Sequence, residues 1–226
     1  MRRLIIAFVA GAVVPSAANA QRLAGSYAVA HSDHLLIGTL NGYQLQVTTS
    51  GNGWLSGTFS LSRHDGTHMR RAIACTGPIP PAPACPVEPL RDETTTTDVG
   101  ATVDVMLFQH AFGAPIEGTA TVGAQVLHVN NHSRGETTGN VIGAKRTKLG
   151  PTLGFELTSR PKAAVPIGLR LGVVGGLFYG VARGNVRLEA SDLSETDSGI
   201  LDGYTPFDAG FTFTRFELGL VWFLQR

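Results

Sequence analysis

The chain has 226 residues, of which 43% are hydrophobic and only 15% charged, with 28 glycines and a formal net charge of +1. A nucleic-acid binder carries a basic stripe, and no such stripe is present. Beyond residue 20 no uncharged apolar run is long enough to cross a bilayer as a helix; "LGVVGGLFYGVA" at 171–182 is too short and too rich in glycine.

The first twenty residues, "MRRLIIAFVAGAVVPSAANA", hold two arginines, an apolar stretch and Ala18-Asn19-Ala20. This is the layout of a cleaved secretory signal. Its removal takes Arg2 and Arg3 away and leaves 16 basic against 17 acidic groups, a net charge of −1. The remaining residues, 21–226, suit one all-β domain.

From there on apolar and polar residues alternate with period two, and helical periodicity does not recur. Strands are expected at residues 22–30, 35–48, 53–63, 99–109, 117–129, 145–158, 166–187 and 207–224, which makes eight. The connections "TTSGNG", "AFGAPI" and "SRPKAAV" are short and built of turn residues. Those alternating with them are "HSDH", residues 64–98, residues 130–144 and residues 188–206, most of them longer. Within 64–98, "RDETTTTD" (91–98) reads as solvated loop. Cys75 and Cys85 flank "TGPIPPAPA" there and read as a disulfide closing an external Pro-rich loop. Short and long connections in alternation are the mark of a closed antiparallel up-and-down transmembrane β-barrel, with tight turns at the end holding both termini. The start of the first strand leaves a ten-strand count open.

The phase of the alternation follows from a cost. One face carries Val103, Val105, Leu153, Phe155, Leu169, Leu171, Phe216, Leu218 and Leu220. The other carries Asp104, Lys148, Glu156, Arg170, Arg215 and Glu217. Arginine at the lipid midplane costs about 2–4 kcal/mol and a carboxylate somewhat less. Turning Glu156, Arg170, Arg215 and Glu217 outward would cost on the order of 8 kcal/mol together, comparable with a domain's whole stability. The apolar face therefore meets outer-membrane lipid, and three acids and three bases pair along the axis. Gly168, Gly172 and Gly176 leave room for Arg170. Trp54 and Trp222 suit the aromatic belt at the tight-turn interface, with Tyr179, Phe211 and Phe213 in the outer belt. Pro151 should mark a bulge in the sixth strand.

The chain closes on "FELGLVWFLQR". Its pattern Glu217-x-Gly219-x-x-Trp222-x-Leu224 is similar to the last-strand signal of bacterial outer-membrane β-barrels, and the resemblance implies an outer-membrane location and recognition by the barrel-assembly machinery. Residues 149–180 resemble the closing hairpins of Legionella-type major outer-membrane, pore-forming proteins, which implies a porin-like channel as one reading.

Histidines come in pairs: His31 and His34, His64 and His68, His128 and His132, all expected in exposed loops at the outer rim. With Asp33 or Asp65 they could hold zinc or copper, both suited to imidazole; otherwise no cofactor is implied. "HSRGE" (His132, Ser133, Glu136) has the residue types of lipid-A deacylases without strand spacing that would set a base against a hydroxyl. The leading expectation is a monomeric, non-enzymatic barrel with a structural or surface role. A narrow pore, a soluble periplasmic barrel with an apolar lumen, and a lipid-A-modifying enzyme are the alternatives.

Overall fold

In the computed structural model, the described residues are 20–33, 37–49, 54–73, 87–111, 113–137, 141–160, 166–182, 186–189 and 210–224. Cys75, Cys85, His34 and residues 1–19 lie outside them. Among the described residues there are nine strands: β1 (Ala20–Ser32), β2 (Thr39–Thr49), β3 (Leu55–Ile73), β4 (Val87–Phe108), β5 (Ile116–Gly135), β6 (Val141–Ser159), β7 (Ile167–Ala182), β8 (Val186–Glu189) and β9 (Phe211–Phe223). β8 pairs with β6 directly beyond β7, so β7 and β8 together form one stave.

Each strand is antiparallel to its neighbours. The ladder runs from β1 through β2, β3, β4, β5 and β6 to β7, then β9, and β9 returns to β1 with Tyr27 opposite Leu218. The result is a closed antiparallel barrel of eight staves. Closure leaves no open edge at belt height, which is the condition for a sheet to stand in lipid.

The alternation sets the two faces. Leu169, Leu171, Leu218 and Leu220 are between 53% and 60% exposed on the outside, whereas Arg170 is 1%, Arg215 2% and Glu217 3% exposed inside. On β4 the outward apolar positions run from Val99 to Leu107, and on β6 from Leu149 to Leu157. Each stretch is close to the roughly 9–11 residues that a tilted strand needs to cross a bilayer. On the β3–β6 side the apolar belt gives way to polar residues. Arg63 pairs with Thr97, Thr97 with His128 and His128 with Thr147, forming a polar row around that wall.

Several expectations need correction. Residues 64–98 and 130–144 were expected to be loops, but β3 runs on to Ile73, β4 starts at Val87, β5 runs to Gly135 and β6 starts at Val141. Above the belt both faces are polar, so hydrophobic alternation vanishes while threonine and the ladder keep the chain extended. At 22 residues and about 3.3 Å per residue, β4 is roughly 73 Å long, about twice what the membrane needs. β1, β2 and β9 have 13, 11 and 13 residues, so the barrel is far taller on its β3–β6 side. Phe211 and Phe213 were expected in the outer belt; they are 2% and 3% exposed and point inward, sharing the parity of Arg215 and Glu217. The β6–β7 irregularity falls between Thr147 and Lys148, not at Pro151, which sits opposite Ala124 inside the β5–β6 ladder.

Two of the glycines at points of close approach bear on the seam and the lumen. A Cβ at Gly219 would stand 2.2 Å from the Gly25 carbonyl oxygen, so β9 can lie against β1 only with glycine there. A Cβ at Gly172 would meet Glu217 Oε2 at 3.1 Å and Arg170 Nη2 at 3.3 Å, in the space the ion pair occupies.

Candidate functional site: the filled lumen

Inward-pointing side chains fill the axis in three layers, with the buried polar residues Asp92, Asn131 and Ser133 beyond them. At the end holding the termini, Glu117 is salt-bridged to Arg22 (2.5 Å) and Arg160 (3.1 Å). The Arg22 guanidinium also lies 5.3 Å from the centre of the Phe223 ring.

The middle layer is built on two arginines. Arg170 bonds Glu217 at 2.6 Å and Glu156 at 2.8 Å, and donates to Ser26 Oγ at 3.0 Å. Arg215 bonds Glu217 at 2.5 Å and Asp98 at 3.1 Å and donates to Ser62 Oγ at 3.3 Å. Glu217 thus bridges the two guanidiniums. With its amide turned to satisfy both ends, Gln44 donates to the Glu217 carboxylate at 2.6 and 2.8 Å and accepts from Arg215 Nη2 at 2.8 Å. Asp98 also accepts from Ser62 and from Gln125 (3.2 Å). Burial makes this layer costly to leave incomplete, because an unpaired charge in such a site loses several kcal/mol.

The expected six do not form three simple pairs. Asp104 accepts from Thr58 (2.5 Å) and Thr102 (2.8 Å) rather than meeting a base. Lys148 is fully buried with its Nζ 5.5 Å from the centre of the Phe211 ring. Asp98, Glu117, Arg22 and Gln44 were missed. Asp98 was hidden by the reading of 91–98 as loop, although its parity with Gly100 and Asp104 places it inside.

The outer layer is apolar. Ala30, Ile37, Leu40, Leu127, Val129, Phe178, Phe211 and Phe213 form one buried cluster. Phe178 stacks on Phe211 at 6.0 Å and meets Phe213 edge-on at 6.2 Å. His64, 0% exposed, lies edge-on to Phe213 at 6.0 Å with its Nδ1 3.7 Å from Asp98. Below the cap is a polar cavity of about 20 Å³. It is lined in part by Gln46, Ser60, Thr121 and Thr152. Such a volume holds a single water or little more.

The histidines do not converge. Strand parity sends His64 into the lumen, while His31 bonds Thr39 and His128 bonds Thr147, each at 3.1 Å, on opposite walls. His68 lies over the turn at Gly38, and His132 faces outward opposite Glu93. Asp33 accepts from the Thr212 backbone N–H (2.8 Å) and Asp65 from Thr95 (2.6 Å). Among the described residues no three His, Cys, Asp or Glu side chains gather as a metal site. The rim histidines were expected in loops; placed on strands instead, their positions are fixed by the ladder. "HSRGE" is divided in the same way: His132 is exposed outside, while Ser133 is buried inside and bonded to Asp92 and Asn131. A base and a hydroxyl on opposite faces cannot cooperate.

A closed ladder, an apolar belt and a charged axis define a transmembrane β-barrel of the bacterial outer-membrane type. No protein-family profile matches the sequence, and no curated protein matches it. Solved structures similar to it include Ail, the attachment invasion locus protein of Yersinia pestis, in complex with the heparin analogue sucrose octasulfate. That likeness is at 10% identity and TM-score 0.48, covering 89% of this chain and 96% of that one. A major outer membrane protein from Thermus thermophilus is similar at 12% identity and TM-score 0.49, covering 89% and 98%. Neisserial surface protein A is similar at 11% identity and TM-score 0.42, covering 90% and 95%.

Proposed function

We propose that this chain is a monomeric, non-conducting and non-catalytic outer-membrane barrel whose role is to hold a tall polar wall outside the membrane as a contact surface. The observation that carries the reading is the combination of an axis filled by ion pairs and phenylalanines with strands that overrun the belt on one side. A barrel that conducts keeps its lumen open. Here arginine–carboxylate bridges and a phenylalanine cluster occupy it, while β3–β6 continue for about another ten residues past what crossing requires. We further propose that Glu217, Gly219, Trp222 and Leu224 act as the assembly signal, a role that suits a last strand with Trp222 and Leu224 outward.

Conductance separates this reading from the porin-like one. The refolded protein in planar bilayers should give no discrete current steps. Replacing Phe178, Phe211 and Phe213 with alanine, together with Arg215→Ala, should create steps by removing the cap and one bridge. Regular steps from the unmodified protein would replace the proposal with a narrow pore.

A further inference from the structure

One histidine stands apart from the surface set. His64 is fully buried on the inner face of β3, where the phenylalanine cap meets the charged layer beneath it. Three other strands hold the ring. β2 passes it with Gly42, where a Cβ would stand 2.7 Å from His64 Cδ2. β9 sets Phe213 edge-on to it at 6.0 Å, and β4 places Asp98 3.7 Å and Thr96 3.5 Å from Nδ1. The other nitrogen, Nε2, is buried and meets no hydrogen-bond partner among the described residues. The charged groups that act on the ring are Asp98 on β4, Arg215 and Glu217 on β9, and Asp65 on β3 itself. β2 contributes no charged residue, and Lys148 on β6 reaches the same cap with its Nζ over Phe211.

The protonation state decides whether this site is satisfied. A neutral imidazole has one donor and one acceptor. With the donor on Nδ1, the ring offers its proton to Asp98 and Thr96 and keeps an uncharged nitrogen in its buried surroundings. The imidazolium carries a donor on each nitrogen, and the Nε2 donor then has nothing to bond. Asp98 gives little further relief, because Arg215, Ser62 and Gln125 already share its carboxylate. A buried charge with an unmet donor is costly unless water reaches it. We propose that His64 is an acid-operated latch on the outer end of the lumen. Below neutral pH the ring takes a second proton from the external medium, draws water to Nε2 and parts from Phe213, which loosens the cap. Arg170, Arg215 and Glu217 lie beneath and keep their bridges, so the axis stays blocked while its outer end softens. The inference goes beyond the contact-surface reading, because it gives the barrel two states of its outer mouth, selected by the pH outside.

The test uses the full barrel refolded into phosphatidylcholine nanodiscs, with isotope label in the histidine rings and in the leucine and valine methyl groups for nuclear magnetic resonance. Spectra recorded from about pH 8 to about pH 5 cross the range in which histidine ordinarily changes charge. The His64 ring signal should titrate, and the methyl signals of Leu40, Leu127 and Val129 should shift and lose intensity with the same midpoint. The exposed His31, His128 and His132 give reference signals in the same spectra. His64→Phe leaves an apolar ring in place of the titrating one, and His64→Gln leaves a polar group that takes no proton. In both variants the cap methyl signals should stay unchanged across the series. Cap signals that stay fixed while His64 titrates overturn the proposal, and so does a His64 signal that does not move in this range. An equal cap response in either variant also overturns it, by assigning the response to a carboxylate such as Asp98. A boiled/unboiled gel shift on every sample reports the barrel itself, so loss of the barrel and loss of the latch are told apart. If neither variant folds, the coincidence or separation of the two midpoints in the unmodified protein decides alone.

Discussion

Arg215→Ala should cost about 3–5 kcal/mol, the typical loss when one partner of a buried ion pair is removed. The residue is 2% exposed and bridges Asp98 and Glu217, so alanine leaves two carboxylates facing each other across an emptied site. Urea titration of the refolded protein in detergent, followed by the unboiled gel band, should show the midpoint falling with the slope little changed. Asp98→Asn added to Arg215→Ala should recover part of the loss. Neighbours sharing one network couple by about 0.5–3 kcal/mol. Recovery should stay incomplete because Glu217 remains charged, although Arg170 still holds it at 2.6 Å. A change below about 1 kcal/mol for Arg215→Ala would mean that water reaches this layer and screens it, as at an exposed pair.

Leu171→Arg tests the opposite face. Leu171 is 53% exposed and sits in the row Leu157–Leu171–Leu218–Tyr27 across four adjacent staves, well inside the belt. Arginine there should destabilise by about 2–4 kcal/mol in liposomes, falling to about 0–1 kcal/mol for the same change near an interface. Thr97→Arg, on the polar row that ends the belt, is the matched control and should be nearly silent. If both substitutions were silent in lipid, the outward leucines would not be facing acyl chains.

Period-two alternation made the belt legible, because lipid on one side and charge on the other impose it on every stave. Arg170 between Leu169 and Leu171, and Glu217 between Phe216 and Leu218, state the phase without ambiguity. The upper wall was not legible for the converse reason. "RDETTTTD" and "HVNNH" are polar at nearly every position, since each face meets water or other polar groups. Nothing in their hydropathy distinguishes a strand from a loop. Asp98 and the inward residues above it were lost with that wall. The phenylalanine cap failed differently. Phe211 and Phe213 share the parity of Arg215, yet large aromatics near a strand end suggest a membrane interface, and that expectation overrode the parity. Partner choice inside the lumen was also out of reach: which base meets which acid depends on the stagger between β4, β7 and β9, and single-strand patterns do not contain it.

The unequal strand lengths bear on how the molecule is made. β3, β4, β5 and β6 are consecutive hairpins with the longest ladders, so their contacts are near in sequence and close with little entropic penalty. The junction of β1 with β9 joins Arg22 to Phe223 and Ser32 to Phe213, the most distant pairing in the chain and along a much shorter register. Distant closure is slow because its entropy must be met before the contacts return anything. The cylinder should therefore zip from its high side toward this seam, and the seam, last to form and with a ladder much shorter than those joining β3 to β6, should be the place where it opens first.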